Sequence, residues 1–329
     1  MGLYSDTINS WMMKIVLGTM NFGPQLDLNS SRKMVQCFLE TGNVELDTAY
    51  VYNNGDTERY LGKILPDIDS SNYYLATKVH PRVTGKLDRE TILMEFKESL
   101  RRMNCDKVDL LYFHFPDGKT PIEEALDTIA ELYEQGKVQE LGLSNYPAWQ
   151  VVDIWYKCVR HGCPRPTVYQ GMYNAFCRNV EPELFPAIRS LGMRFYAFNP
   201  LAGGLLVGKH LHYEDTPESG RFARLKSYRD RYWKQNYFDA VNEIKTVCDA
   251  EGIPMVEAAY RWLVNHSMMN ASMGDSILLG ASRIEQMKQN ILATTKGKLP
   301  QSVINAMDIA WDIAKPDSPC LLYTSDAAD

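Results

Sequence analysis

Four polar side chains punctuate apolar stretches within the first 114 residues: Asp47, Tyr52, Lys78 and His114. Asp47 ends the run VELD at 44–47, and Tyr52 follows five residues later. Lys78 ends YLATK at 74–78, and His114 ends VDLLYFH at 108–114. Polar and ionisable groups at such positions are costly to bury unless they are paired. Singly, each has a plain structural reading: Asp47 as a helix cap, Lys78 as a snorkelling rim lysine, His114 as a satisfied donor, Tyr52 as packing. As a set they describe proton transfer. A phenol with an ordinary pKa near 10 is a poor acid at neutral pH. A nearby ammonium favours the phenolate and is expected to lower that pKa, while a carboxylate keeps the lysine charged and in place. A histidine beside the phenol can orient a carbonyl. Such a group suits protonation of an oxygen that is gaining negative charge, as in carbonyl reduction by hydride from a bound cofactor.

The elements that must position these residues alternate along the chain. Apolar, β-rich runs occur at 15–17, 44–47, 74–78, 108–114, 139–144, 167–170, 194–199 and 276–279. Helical patterns separate them at 31–41, 57–64, 89–103, 121–135, 148–160, 181–191, 238–250 and 254–265, and two more follow at 283–293 and 301–314. Eight strand–helix repeats imply parallel pairing through crossovers. Nearly continuous apolar strands imply a sheet covered by helices. Asp88 is placed to cap the helix from Arg89. Thr120 reads as a cap with Pro121 at the first helical position, and Gly136 and Gly192 as helix stops. A doubly wound dinucleotide fold should carry Gly-x-Gly-x-x-Gly after its first strand. Here that strand is followed by TMNFG at 19–23, so a single α/β (β/α)8 barrel is expected over 14–315, with an additional C-terminal helix. The polar strand ends then converge on one rim. After strand 7 the stretch 201–234 holds no strand. It is aromatic and basic, and reads as an extended active-site loop that closes over a ligand.

Composition narrows the partners. The net charge of −6 offers no electrostatic reason to expect nucleic acid or an anionic membrane. No run of 18 apolar residues exists, and the first 13 residues lack a signal-peptide pattern. Seven cysteines without a CxxC pair read as reduced thiols, so a cytoplasmic protein is expected. His210 and His212 have suggestive metal-ligand spacing, but they lie outside any strand and lack evident acidic partners, so no metal is expected.

Several stretches together resemble the aldo-keto reductases, and within them the aflatoxin-aldehyde/succinic-semialdehyde reductase branch. They are VLGTMNFG (16–23), DTAYVYNNGDTE (47–58), DLLYFHFPD (109–117), ELGLSNY (140–146), TVYQGMYN (167–174) and FYAFNPLAGGLLVGK (195–209). The resemblance implies that Asp47, Tyr52, Lys78 and His114 form the family's catalytic tetrad, with Tyr52 as general acid and His114 orienting the substrate carbonyl. It implies NADPH/NADP+ as cofactor. Ser144, Asn145 and Gln170 would hold the nicotinamide carboxamide, and Phe198 would stack on the ring. The loop with Asn199, Leu201, Gly203, Gly204 and Lys209 would strap the pyrophosphate. Gly280, Ser282, Arg283, Gln286 and Asn290 in GASRIEQMKQN (280–290) would hold the adenosine end, with Arg283 suited to a 2′-phosphate. Tyr228, Arg229 and Arg231 would contact an acidic substrate. A homodimer is implied as well.

Two departures stand out. Phe198 occupies a position where relatives commonly carry tyrosine; it keeps the stacking face and loses a hydroxyl. The last ten residues, 320–329, resemble the conceptual translation of a sequencing-library transposase adapter and are expected to be a non-native tail. The expected function is therefore NADPH-dependent reduction of aldehydes such as succinic semialdehyde and dialdehydes. The alternatives are a broad aldehyde/quinone reductase, a cofactor-binding regulatory subunit resembling potassium-channel β subunits, and a metal-dependent barrel hydrolase.

Overall fold

The computed structural model describes residues 12–215, 217–218 and 220–319. The unusual tail at 320–329 therefore lies outside the described residues. Eight strands form a closed, parallel barrel in sequence order: β1 Lys14–Gly18, β2 Glu45–Asp47, β3 Tyr74–Val79, β4 Val108–Phe113, β5 Val138–Ser144, β6 Pro166–Met172, β7 Arg194–Phe198 and β8 Ser276–Leu279. The outer helices are α1 Leu28–Leu39, α2 Asp56–Ile64, α3 Arg89–Met103, α4 Ile122–Glu134, α5 Ala148–His161 and α6 Leu184–Ser190. After β7 come α7 Arg221–Arg224, α8 Lys226–Tyr232, α9 Gln235–Ala250 and α10 Met255–Asn265; α11 Ile284–Thr294 and α12 Gln301–Ala314 follow β8. This is the expected (β/α)8 barrel. No helix among the described residues is long and apolar enough to cross a membrane.

Local chemistry explains most boundaries. The Asp88 side chain accepts a hydrogen bond from the Thr91 backbone N–H and so caps α3, as expected. At the other end Asn104 adopts a left-handed conformation, φ 52°, which closes the helix. The expectation at 120–121 is corrected. Pro121 is extended, with ψ 126°, so it occupies the cap position rather than the first helical one, and no side chain caps α4. The Asp117 carboxylate binds the backbone N–H of Lys119 and of Leu87, and so ties the preceding loop down in place of a cap.

Two apolar layers hold the barrel. The outer layer lies between strands and helices and includes Leu17, Leu46, Leu75, Leu111, Phe113, Leu141, Leu143, Phe195 and Ile277. The inner layer fills the barrel itself with Val16, Ala76, Leu110, Tyr112, Val168, Tyr196 and Leu278. Alternation along each strand sends one set inward and the other outward. Gly142 shows how tightly the inner layer is filled: a Cβ there would lie 2.3 Å from the Tyr112 ring. The long connection after β7 holds no strand among its described residues, but it is structured. It carries a 3-10 segment, Ala202–Val207, and the short helices α7 and α8, whose Phe222, Tyr228 and Tyr232 are buried.

Candidate active site

Barrel register brings the four polar strand-end residues together. Asp47 is the last residue of β2. Lys78 stands one residue before the end of β3 and is fully buried. His114 follows β4, where its backbone N–H bonds to the Val79 carbonyl at 2.9 Å. Tyr52 opens a tight turn after β2 in which Asn53 and Asn54 adopt φ of 50° and 55°. Asparagine tolerates this left-handed region better than most residues. The Asn53 amide secures the turn by donating to the Met20 carbonyl at 2.7 Å and to the Thr57 hydroxyl at 2.8 Å.

Within the cluster, the Lys78 ammonium pairs with Asp47 and donates to the Thr48 carbonyl at 2.7 Å. The ammonium stands 3.5 Å from the Tyr52 hydroxyl. The second Asp47 oxygen accepts from the Gln170 amide at 2.8 Å. The Tyr52 and His114 rings meet edge to face, with centroids 5.8 Å apart, and His80 meets the other side of His114 at 4.9 Å.

Burial sets the protonation states. It pushes Tyr52 well above its ordinary value, and the Asp47 charge adds to that rise. The sequence predicts the opposite direction, from the ammonium of the nearby Lys78. In the structure that charge is matched by Asp47 in direct contact, so desolvation of the phenolate dominates. Burial lowers Lys78, although Asp47 acts against it. Burial also carries His114 well below the usual histidine range, with the nearby His80 adding to the fall. The resting state is thus a protonated phenol beside a neutral imidazole.

A cavity of about 740 Å³ opens above this cluster, on the C-terminal face of the barrel. Asp47, Tyr52 and His114 line it, together with Ser144, Asn145, Gln170, Phe198, Asn199, Leu201, Gly203, Gly204 and Lys209. Its far end is lined by Gly280, Ser282, Arg283, Gln286 and Asn290. Lys78 lies behind the lining and reaches the site through Asp47 and Tyr52. Gly203 and Gly204 take φ of 69° and 119°, which favours glycine in this turn. Arg283 immediately precedes α11, and the Ser282 hydroxyl donates to the Gln286 side chain at 3.1 Å.

The cavity has the donor and acceptor set that a nicotinamide cofactor requires. Asn145, held by bonds from its amide nitrogen to the His114 carbonyl and the Ser144 hydroxyl, leaves Oδ1 buried without a protein partner among the described residues. The Asn199 amide nitrogen is buried and unpartnered in the same sense. A carboxamide N–H can satisfy the first, and the second can donate to an acceptor oxygen of a ligand. Phe198 adds an aromatic face, and Lys209 and Arg283 place positive charge along the cavity.

The loop after β7 divides the substrate candidates. Tyr228 is buried, lines the cavity and donates from its hydroxyl to Asn199 Oδ1 at 3.2 Å. Arg229 is exposed and lies outside the lining. Arg231 is buried against the Tyr228 and Tyr232 rings, 5.1 and 5.8 Å from their centroids, and also lies outside the lining. The arginine the cavity does present is Arg221, which sequence reasoning did not single out. It donates to Asn21 Oδ1 at 3.2 Å, lies over the Tyr228 ring at 4.9 Å, and is close enough to favour the Tyr52 phenolate. Its signal in the sequence was faint: an arginine opening a short helix after Gly220, within a basic stretch whose other arginines point elsewhere. His210 also lines the cavity, edge-on against Phe222 and Trp233.

Residues 14–312 match the model of the Aldo/keto reductase family. The chain belongs to that family. It is an oxidoreductase, in a family whose members generally use NAD(P)H. The reductase is 42% identical to the mouse protein named aflatoxin B1 aldehyde reductase member 2 over 316 residues, which cover 92% of this chain and 86% of the relative. It is 41% identical to human aldo-keto reductase family 7 member A3, over 92% of this chain and 95% of that protein. Human aflatoxin B1 aldehyde reductase member 4 is 40% identical over the same shares.

Proposed function

We propose that this aldo/keto reductase is an NADPH-dependent aldehyde reductase, converting aldehydes such as succinic semialdehyde and dialdehydes to alcohols. The observation that carries the reading is the Tyr52 hydroxyl at the cavity floor, 3.5 Å from the Lys78 ammonium that pairs with Asp47 and with its ring edge to face with His114. The names of the relatives, aldehyde reductases among them, support the substrate class.

A reduced nicotinamide cofactor, when bound, would supply the hydride. Ser144, Asn145 and Gln170 would hold its carboxamide, and Phe198 would offer the ring an aromatic face. The strap from Asn199 through Gly203 and Gly204 to Lys209 would hold the pyrophosphate. Gly280, Ser282, Gln286 and Asn290 would hold the adenosine end, and Arg283 at the start of α11 would suit a 2′-phosphate. Tyr52 keeps its proton at neutral pH and delivers it from Oη to the carbonyl oxygen as that oxygen gains charge. Lys78 then faces the phenolate left behind, and Asp47 holds the ammonium in place. Neutral His114 orients the carbonyl without adding a charge. Tyr228 and the neighbouring Arg221 face the substrate end, so that a carboxylate distal to the aldehyde meets a cation, while Arg231 supports Tyr228 from behind. We also read the enzyme as cytoplasmic, from its unpaired thiols, and, from the family resemblance, as a homodimer, a state that light scattering of the purified protein tests.

The decisive experiment follows NADPH oxidation with succinic semialdehyde and with 2-nitrobenzaldehyde, in wild type and in Tyr52→Phe. Positioned general-acid groups contribute about 10²–10⁴-fold. A loss of kcat in that range, with NADPH binding retained, is expected; a variant as active as wild type overturns the reading.

A further inference from the structure

The barrel interior holds a second group of ionisable side chains below the active-site cluster, near the N-terminal ends of the strands. Glu45 and Asp47 are two residues apart on β2, so both point inward, with their backbones about 7 Å apart. One Glu45 oxygen accepts from the Tyr196 hydroxyl at 2.9 Å. The other, Oε1, is sealed from solvent with no hydrogen-bond partner among the described residues. Around it lies the inner apolar layer of Val16, Ala76, Leu110, Val168 and Leu278.

Counting charge around Glu45 shows which carboxyl is left without a cation. On β2 the neighbour is Asp47. From β3 come Tyr74 and Lys78, from β4 Tyr112, from β5 Glu140, and from β7 Arg194 and Tyr196; β8 presents only the hydroxyl of Ser276. Lys14, two residues before Val16 on β1, is exposed at the barrel mouth. The two nearest cations are paired with other carboxyls, although Arg194, whose Nε lacks a hydrogen-bond partner among the described residues, still favours the Glu45 charge through space. Lys78 pairs with Asp47, and Arg194 pairs with Glu140, which also accepts from Tyr74 at 2.7 Å and from Thr167. Three carboxyls therefore share two cations, and Glu45 is the third. A buried carboxyl with one donor and no cation is cheaper neutral than charged.

We propose that Glu45 is a positioning residue of this enzyme, a neutral carboxylic acid below the Asp47–Lys78 pair whose ionisation weakens proton delivery by Tyr52. The proposal rests on the reading of Tyr52 as the acid. When Glu45 gives its proton to solvent, a second negative charge joins Asp47 opposite the single positive charge of Lys78. The trio then carries net negative charge and opposes formation of the Tyr52 phenolate. Burial pushes the Glu45 carboxyl up to about 8, which places this change just above neutral pH. Loss of the Tyr52 proton would also lower kcat at high pH, and the Glu45→Gln variant tells the two ionisations apart. Glu95, pushed up to about 7 by burial and bonded to the backbone N–H of His80, is the competing carboxyl.

The test is the pH profile of kcat for reduction of 2-nitrobenzaldehyde with saturating NADPH, from about pH 6 to pH 10. Wild type is expected to lose about tenfold between pH 7 and pH 9, as one ionisation requires. Glu45→Gln, which keeps the shape and cannot ionise, is expected to stay within about threefold of wild type at pH 6–7 and to lose that fall. Tyr196→Phe removes the one donor that stabilises the Glu45 carboxylate and should move the fall to higher pH. This variant decides the matter if Glu45→Gln does not fold. Profiles that superpose on wild type, or a Glu45→Gln variant that is equally impaired at every pH, overturn the proposal. Tyr52→Phe in parallel keeps the two readings apart: its retained activity sinks the Tyr52 assignment, whereas superposed Glu45→Gln and wild-type profiles sink only Glu45.

Discussion

Two buried polar clusters occupy the same barrel, one at the C-terminal rim and one at the N-terminal mouth, and they solve burial differently. At the rim a single cation, Lys78, meets a single carboxylate, Asp47, and the remaining bonds of the pair go to Thr48 and Gln170. At the mouth Glu140 is bound by Tyr74, Thr167 and Arg194, while Glu45 has one tyrosine hydroxyl and no direct ion pair among the described residues. Both clusters stand on the same strands, and β2 contributes Asp47 to one and Glu45 to the other. Pairing, rather than burial alone, decides which carboxyl keeps a charge in a low-dielectric interior. The rim cluster is balanced and opens into the cavity, where it can face a reacting oxygen. The mouth cluster has a carboxyl to spare.

Breaking the rim pair should have the largest effect. Lys78→Met leaves Asp47 buried with no cation and removes the charge that faces the Tyr52 phenolate. Loss of one partner of a buried pair costs about 3–5 kcal/mol, and denaturant unfolding should show destabilisation of that order. Reductase activity should fall by about 10²-fold or more in the same variant. A stable Lys78→Met protein would mean that the rim pair is no better matched than Glu45.

Arg221→Leu probes the rim on its cavity side, where positive charge faces the substrate rather than Asp47. KM for succinic semialdehyde is expected to rise about 10–100-fold, with little change for neutral 2-nitrobenzaldehyde, because only the former loses an ionic partner. Equal effects on both substrates would assign Arg221 a structural role through Asn21 and Tyr228.

The smallest effect concerns stability against pH at the mouth. Burial raises Glu45 to about 8 and Glu95 to about 7, both above their unfolded values. Their stabilising contribution is complete below the ordinary carboxylate range and is lost as pH rises through these folded-state values, because the folded chain holds protons that the unfolded chain has released. For Glu45, part of which is exposed at the mouth, the loss should come to about 1–2 kcal/mol. The melting temperature should therefore decline by a few degrees from about pH 5 to pH 8.5, and less in Glu45→Gln. A flat profile in wild type would show that the mouth carboxyl is paired after all.

The rim was largely legible in the chain. Asp47, Lys78 and His114 close apolar runs, and once eight strands alternate with helices, strand ends must converge on one face. Arg221 was not legible, because its neighbours Asn21 and Tyr228 lie far from each other in sequence and a basic stretch does not say which arginine turns inward. Glu45 was missed for a related reason. It opens its strand beside the polar residues 41–43, where a glutamate normally reads as solvated.

Periodicity and strand-end chemistry by themselves determined the barrel, its order and the four residues of the rim cluster, because they depend only on local hydrophobic pattern and on the regular geometry of βα units. The tertiary structure alone decided the protonation states and the direction of the Tyr52 shift. Those depend on which charges meet across the barrel and on how completely water is removed, and neither is written in any stretch of neighbouring residues.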